Sequence, residues 1–300
     1  MEIEIRGHSG CQIDIVNGGD TGEKRLSILY GKGGDSLFIN KSTRDKNYIP
    51  RLYKQALKQC NASKIAYQHI RVPKIYGIER MDEYLNIKME YIYSKNYVDY
   101  FEDAGFDQIS YFIKALKIFI DSEIENSKMT PINKNVVINK YNDVCDKVAK
   151  NDFISKDTDI KIILEKSSIV FNELDEEINI PVGQCHGDLT FSNILFNGNN
   201  YYLIDFLDSF LESPLLDLVK IRQDSNYGWS QLMYGHDFDS VRMRIISDKI
   251  DKEIDIYYSN YDWYNKYYST FQLMNFLRVI QYAKEERTVA FLKNVLNSIL

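Results

Sequence analysis

An α+β chain in two lobes, a small β-rich one followed by a larger helical one, is what this sequence predicts. Three observations predict it. Apolar and polar residues alternate through much of the first ninety positions, at the period of half-buried strands. Beyond about residue 96 the apolar residues recur at the three-and-four spacing of amphipathic helices. The 300 residues, 44% hydrophobic and 27% charged, supply enough material for one large domain or two lobes.

The elements follow in order. "IEIEIR" and "CQIDIV" read as strands with "GHSG" between them, and further strands are expected at Arg25–Tyr30, Ser36–Asn40 and Tyr84–Met89. One helix, Tyr48–Asn61, interrupts them, because Leu52, Ala56, Leu57 and Cys60 share a helical face. After "MEYIYSKNY" the helices begin with "FDQISYFIKALKIFIDSEI" and Ile160–Leu174, then Asp237–Tyr257 and Asp262–Lys284. The boundary is expected near Ile92–Asn96, dividing the chain into residues 1–92 and 93–300.

Composition narrows the class of function. A net charge of −6 argues against broad nucleic-acid binding, which needs a basic surface. The start "MEIEIRGHSG" lacks the basic-then-apolar order of a signal peptide, and no apolar run is long enough to span a bilayer. Cys11, Cys60, Cys145 and Cys185 are scattered, as reduced and mostly buried thiols of a cytoplasmic protein would be. His8, His69, His186 and His236 are equally dispersed, which argues against zinc.

The chemistry concentrates in "CHGDLTFSNILF", Cys185–Phe196. Asp and Asn also serve ordinary turns, through bonds to nearby backbone. The next residues, "NGNNYYLIDFLDSF", suggest a hairpin turning at Gly198. Pairing Leu195 with Leu203 sets Ile194 opposite Ile204 and Asn193 opposite Asp205, with Asp188 on the loop leading in. An amide oxygen and a carboxylate are hard ligands suited to magnesium shared with phosphate. A separate aspartate is then available to orient a hydroxyl, the division of labour that phosphoryl transfer uses.

These residues, "HGDLTFSN" and "LIDFLD" with "SPLLDLVKI" downstream, resemble the aminoglycoside phosphotransferase and choline kinase family, which has the protein-kinase-like fold. The resemblance implies an ATP- and magnesium-dependent kinase. Asp188 is then the catalytic base, His186 braces its loop, and Asn193 and Asp205 bind magnesium. Asp217 becomes a structural acid of the second lobe, while Asp208 is either a further site acid or a turn and surface residue. In the first lobe Lys41 takes the place of the phosphate-binding lysine. Gly7, Ser9 and Gly10 of "GHSG" fold over the nucleotide phosphates, unless they form a plain hairpin turn. Backbone groups from Glu90 to Ile92 meet adenine, unless they belong to a buried edge strand. One departure stands out: "NYIPRLYKQALKQCN" has no glutamate for Lys41, so Gln55, Gln59 or an acid from elsewhere must serve.

The kind of kinase follows from what is missing. Protein kinases carry a lysine two residues past the catalytic aspartate, where Thr190 stands here. Leu207 replaces the glycine that follows the Asp-Phe pair, and "SPLLDLVKI" follows too soon for a peptide platform. The expected acceptor is a small hydroxyl compound, such as an amino alcohol, a sugar or an aminoglycoside. Tyr227, Trp229, Tyr261, Trp263 and Tyr267 are candidates for its wall, with Asp208 or Asp262 holding polar groups. The rival readings are a nucleotide-binding scaffold without activity and a protein kinase.

Overall fold

A computed structural model describes residues 12–17 and 37–300. In chain order the elements begin with β1 (Gln12–Asn17), β2 (Leu37–Thr43), α1 (Ile49–Ala62), β3 (Ile70–Arg71), β4 (Ile75–Met81) and β5 (Tyr84–Glu90). They continue with α2 (Tyr97–Asp103), α3 (Phe106–Glu125), β6 (Lys128–Asn133), α4 (Asn135–Ala149), α5 (Thr158–Asn172) and β7 (Glu177–Val182). A hairpin of β8 (Ile194–Asn197) and β9 (Asn200–Leu203) precedes α6 (Pro214–Ser225), α7 (Trp229–Met233), α8 (Ser240–Tyr258), α9 (Asp262–Ile280) and α10 (Glu286–Ile299). The chain forms two compact units, and the α+β class holds. The first unit ends at Tyr97 but also takes Asn193–Asp208; the second comprises Val98–Ser192 and Ser209–Leu300. The division therefore falls a few residues beyond the expected boundary, and the hairpin belongs with the first unit.

In that unit an antiparallel sheet runs β1-β2-β5-β4. Strand β5 alternates, turning Leu85, Ile87 and Met89 inward, and α1 covers them with Ile49, Leu52 and Ala56. Pro50 suits the first turn of α1, where a missing N–H costs nothing. A second sheet, β3-β9-β8, contains the hairpin. Lys95 and Phe196 exchange backbone bonds of 2.8 and 3.1 Å, which helps explain why the hairpin joins this unit. The expected strands at residues 2–6 and 25–30 lie outside the described residues.

The second unit is built on α6, which is buried over almost its whole length against α3, α8 and α9. Ser213 caps it by accepting from Leu215 N–H, and the same hydroxyl donates to Pro181 at 2.6 Å, tying the start of α6 to the end of β7. On α6, Arg222 forms a forked pair with Asp251, at 2.7 and 2.9 Å, and bonds Tyr264 at 2.7 Å.

Caps explain where the helix limits differ from expectation. Asp157 accepts from Asp159 and Ile160 N–H and starts α5 at Thr158. Asp239 accepts from Val241 and Arg242 N–H and delays α8 to Ser240. The Gln281 amide donates to the Arg278 carbonyl, closing α9 at Ile280 rather than Lys284. Cys60, Cys145 and Cys185 are free thiols, but Cys185 alone of these three is fully buried, contrary to the expectation for most of them.

Candidate active site

The loop Cys185–Ser192 in the second unit is held from below by α6. Three α6 side chains spaced three and four residues apart, Asp217, Lys220 and Asp224, lie on one helical stripe. Asp217 is fully buried, and its carboxylate accepts the His186 N–H and the Gly187 N–H, the latter at 2.7 Å. Gly187 needs its left-handed φ of 88°, a conformation glycine adopts without penalty. The buried His186 ring accepts the Asp188 N–H on Nδ1 at 3.2 Å, so it carries no proton there. The Nζ of Lys220 lies 3.0 Å from Oδ1 of Asp188, both side chains mostly covered.

Asp224 accepts the Phe191 N–H at 2.6 Å and both the N–H and hydroxyl of Ser230. Burial pushes its carboxyl up to about 6, against those hydrogen bonds and the charge of Lys220. The Phe191 ring adds an edge-on contact with Phe101 at 5.2 Å. The loop that carries Asp188 thus rests on α6 through residues 186, 187, 188 and 191.

In the first unit the hairpin register differs from the expected one. Ile194 pairs with Leu203 and Asn197 with Asn200, because the turn is two residues long. Gly198, at φ 58°, takes the first central position as a type II′ turn requires. Asn193 therefore faces Ile204, whose N–H it accepts at 3.0 Å, rather than Asp205. Asp205 comes next, and among the described non-glycine residues it alone has a positive φ, 60°. A left-handed carboxylate residue is uncommon and marks a constrained position.

Lys41 on β2 is buried, and its Nζ donates to Oδ1 of Asp205 at 2.7 Å. The acid from elsewhere is thus Asp205. A pocket around the pair is lined by Gln55, Gln59, Met89 and Phe206. Gln59 donates to the Pro73 carbonyl at 3.2 Å, while the buried Nε2 of Gln55 has no partner.

Asn193 and Asp205 offer an amide and a carboxylate oxygen, the hard donors magnesium takes. Among the described residues no three His, Cys, Asp or Glu side chains are grouped to hold a metal by themselves. Two protein donors suit magnesium, which keeps waters and phosphate oxygens as its remaining ligands. The donor set fits.

The other expected positions fare differently. Gly7, Ser9 and Gly10 lie outside the described residues. Glu90 ends β5, and its N–H goes to the Lys74 carbonyl at 2.8 Å. Ile92 is buried, and its carbonyl accepts from the Ser94 hydroxyl. Asp208 sits 3.6 Å from Arg51 in an exposed pair. Among the aromatic candidates, Tyr227 meets Phe276, Trp229 meets Phe291, and Tyr261 meets Trp263. Tyr267 donates to Asp175, and Asp262 opens α9. Sequence reasoning missed Lys220 and Asp224, whose signal is a three-and-four spacing of charges in an otherwise apolar helix.

Residues 149–239 match the phosphotransferase enzyme family. No curated protein matches the sequence. Among solved structures, a glucosamine kinase superposes with a TM-score of 0.59 at 14% identity, covering 95% of this chain and 80% of that one. Glucosamine kinase in complex with glucosamine, ADP and inorganic phosphate gives 0.55 at 12%, covering 97% and 82%. The GDP complex of aminoglycoside 2'-phosphotransferase-IIIa gives 0.56 at 14%, covering 91% of each. The chain has the fold of the kinase-like phosphotransferases, and over residues 149–239 its sequence is similar to the phosphotransferase enzyme family.

Proposed function

We propose that this protein is an ATP- and magnesium-dependent kinase that phosphorylates a hydroxyl of a small molecule, such as an amino alcohol, a sugar or an aminoglycoside. The observation that carries the reading is the Lys41–Asp205 pair at the end of a hairpin whose first strand follows Asn193. It joins a cation to one hard oxygen ligand, Asp205, within the unit that also contains Asn193. Residues up to Tyr97, with the hairpin, form the nucleotide-binding part in this reading, and the helical unit binds the acceptor.

Magnesium held by Asn193 and Asp205 would neutralise charge on the phosphate oxygens. Lys41 binds phosphate, and backbone between Glu90 and Ile92 binds the base. Asp188 orients the acceptor hydroxyl and accepts its proton. The acceptor oxygen bonds to the γ-phosphorus as the bond from that phosphorus to the bridging oxygen breaks, releasing ADP. Because α6 starts at Pro214, soon after Asp205, little chain is left for a peptide platform. That favours a small acceptor over a protein.

The neighbouring glucosamine kinase complex with glucosamine and ADP, and the GDP complex of the aminoglycoside phosphotransferase, guide the choice of compounds. Nucleoside diphosphate release, ADP from ATP or GDP from GTP, is to be measured with and without magnesium, over choline, ethanolamine, glucosamine, glucose and an aminoglycoside. Mass detection identifies the product. Acceptor-stimulated, magnesium-dependent release with a phosphorylated small product is expected. Nucleotide binding without turnover would favour a scaffold, and phosphorylation of a protein alone would favour a protein kinase.

A further inference from the structure

The loop that carries Asp188 has no cation of its own: Cys185–Ser192 reads "CHGDLTFS", without lysine or arginine. The structure provides one from another element. Lys220 reaches Asp188 from α6, a helix that begins well downstream, with Nζ 3.0 Å from Oδ1 and side-chain exposures of 16% and 13%. At such coverage a charge pair is screened less than at the surface, where most pairs contribute little.

Lys220 is itself held. Its Nζ also lies 3.4 Å from Oε1 of Gln223, and that oxygen accepts from Asn275 of α9 at 2.7 Å. Gln223 and Asn275 are both buried. The other cation of this helix stretch, Arg222, is engaged by Asp251 and Asp255. On either side of Lys220 along α6, Asp217 and Asp224 grip the loop backbone at residues 186, 187 and 191. Two acids fix the loop's main chain, and the lysine between them meets its one carboxylate side chain.

We infer that Lys220 is a positioning residue for phosphoryl transfer, acting through Asp188. It fixes the carboxylate's rotamer and compensates its charge, so that Asp188 meets the acceptor hydroxyl in one orientation. This rests on the reading of Asp188 given above. A lysine suits the task, being a compact charge with several donors, able to bond Asp188 and Gln223 together. Misplacement of a reacting group by about 1 Å costs on the order of 10²-fold in rate. A loss of that order in turnover, with little change in nucleotide affinity, is what removal of Lys220 should produce.

The test uses the full chain and ADP release from magnesium-ATP, with water or the responding member of the acceptor panel. Lys220→Met should lower kcat by roughly 10- to 100-fold while the dissociation constant for magnesium-ATP stays within about twofold. Lys220→Arg should recover part of the loss, and Lys220→Gln serves if the methionine variant does not fold. Adding Lys220→Met to Asp188→Asn should cost little more than Asp188→Asn alone, since both act through one carboxylate. Normal kcat in Lys220→Met beside a disabled Asp188→Asn would overturn this inference and leave the assignment of Asp188 standing. So would effects of the two substitutions that multiply. Normal turnover in Asp188→Asn, or none in the wild-type chain, would instead overturn the reading of Asp188 on which the inference depends.

Discussion

Each unit contains a lysine–aspartate pair, and the two pairs are built differently. Lys41 and Asp205 lie 164 positions apart in sequence and meet at 2.7 Å across a pocket whose nearest helix, α1, offers glutamines in place of an acid. Lys220 and Asp188 meet at 3.0 Å, and acids one turn before and one turn after the lysine hold the same loop by its backbone. The first pair joins groups that a bound magnesium nucleotide would have to share. The second is braced on both sides by acids that hold the same loop. On the proposed reading, one pair is a latch for the nucleotide and the other a fixture.

The sharpest way to break that comparison is to neutralise the fixed carboxylate. Asp188→Asn should lower turnover by about 10²–10⁴-fold, the usual contribution of a general base. Nucleotide affinity should stay within a few-fold, because Lys41 and Asp205 are untouched. Steady-state rates paired with a nucleotide titration measure both. Turnover near the wild-type level would remove Asp188 from the chemistry.

Bracing itself can be tested at Asp217. Its buried carboxylate accepts two backbone N–H groups, and bonds to charged groups contribute roughly 1.5–3 kcal/mol each. Asp217→Ala should lower unfolding free energy by about 3 kcal/mol in denaturant titration, and should reduce kcat through the displaced loop. A stability loss below about 1 kcal/mol would mean that the loop holds its shape without α6.

The latch predicts a different pattern. Asp205→Ala should weaken nucleotide affinity by about tenfold or more, or ~1.4 kcal/mol, and only when magnesium is present. Asn193→Ala should show a milder version. Calorimetric titration with and without magnesium separates the cases, and an unchanged magnesium dependence in Asp205→Ala would exclude it from the metal site.

The difference between the units also marks how far the sequence could be read. The loop "HGDLTFSN" and the acid of "LIDFLD" were legible because reactive side chains cluster there within a few positions. Strand β5 and helices α1 and α3 were legible from the period of their apolar residues. The hairpin register was off by one, since the turn at Gly198 admits two-residue and longer loops and only the folded chain selects between them. Lys220 and Asp224 were not legible. Their partners lie about thirty positions upstream, and a helix buried on nearly every side has no polar face to set charged residues apart. The partner of Lys41 was hidden for the same reason: it comes from a strand end distant in sequence rather than from the helix beside it.

The smallest expected effect falls just past the latch, at Arg51. Its Nε lies 3.6 Å from Oδ1 of Asp208, and the two side chains are 51% and 43% exposed. Exposed pairs of this kind contribute about 0–1 kcal/mol, because water screens the charges and long side chains lose freedom on pairing. Arg51→Ala should therefore change unfolding free energy by no more than about 0.5 kcal/mol. The same variant distinguishes the two roles that the sequence left open for Asp208. If Asp208 is a surface residue, KM for a cationic acceptor such as glucosamine should not move. If it is an acid of the acceptor site, releasing it from Arg51 should lower that KM and leave KM for glucose unchanged. A stability loss well above 1 kcal/mol would show instead that the pair is shielded from water, and that this end of the first unit is fixed as firmly as the loop on α6.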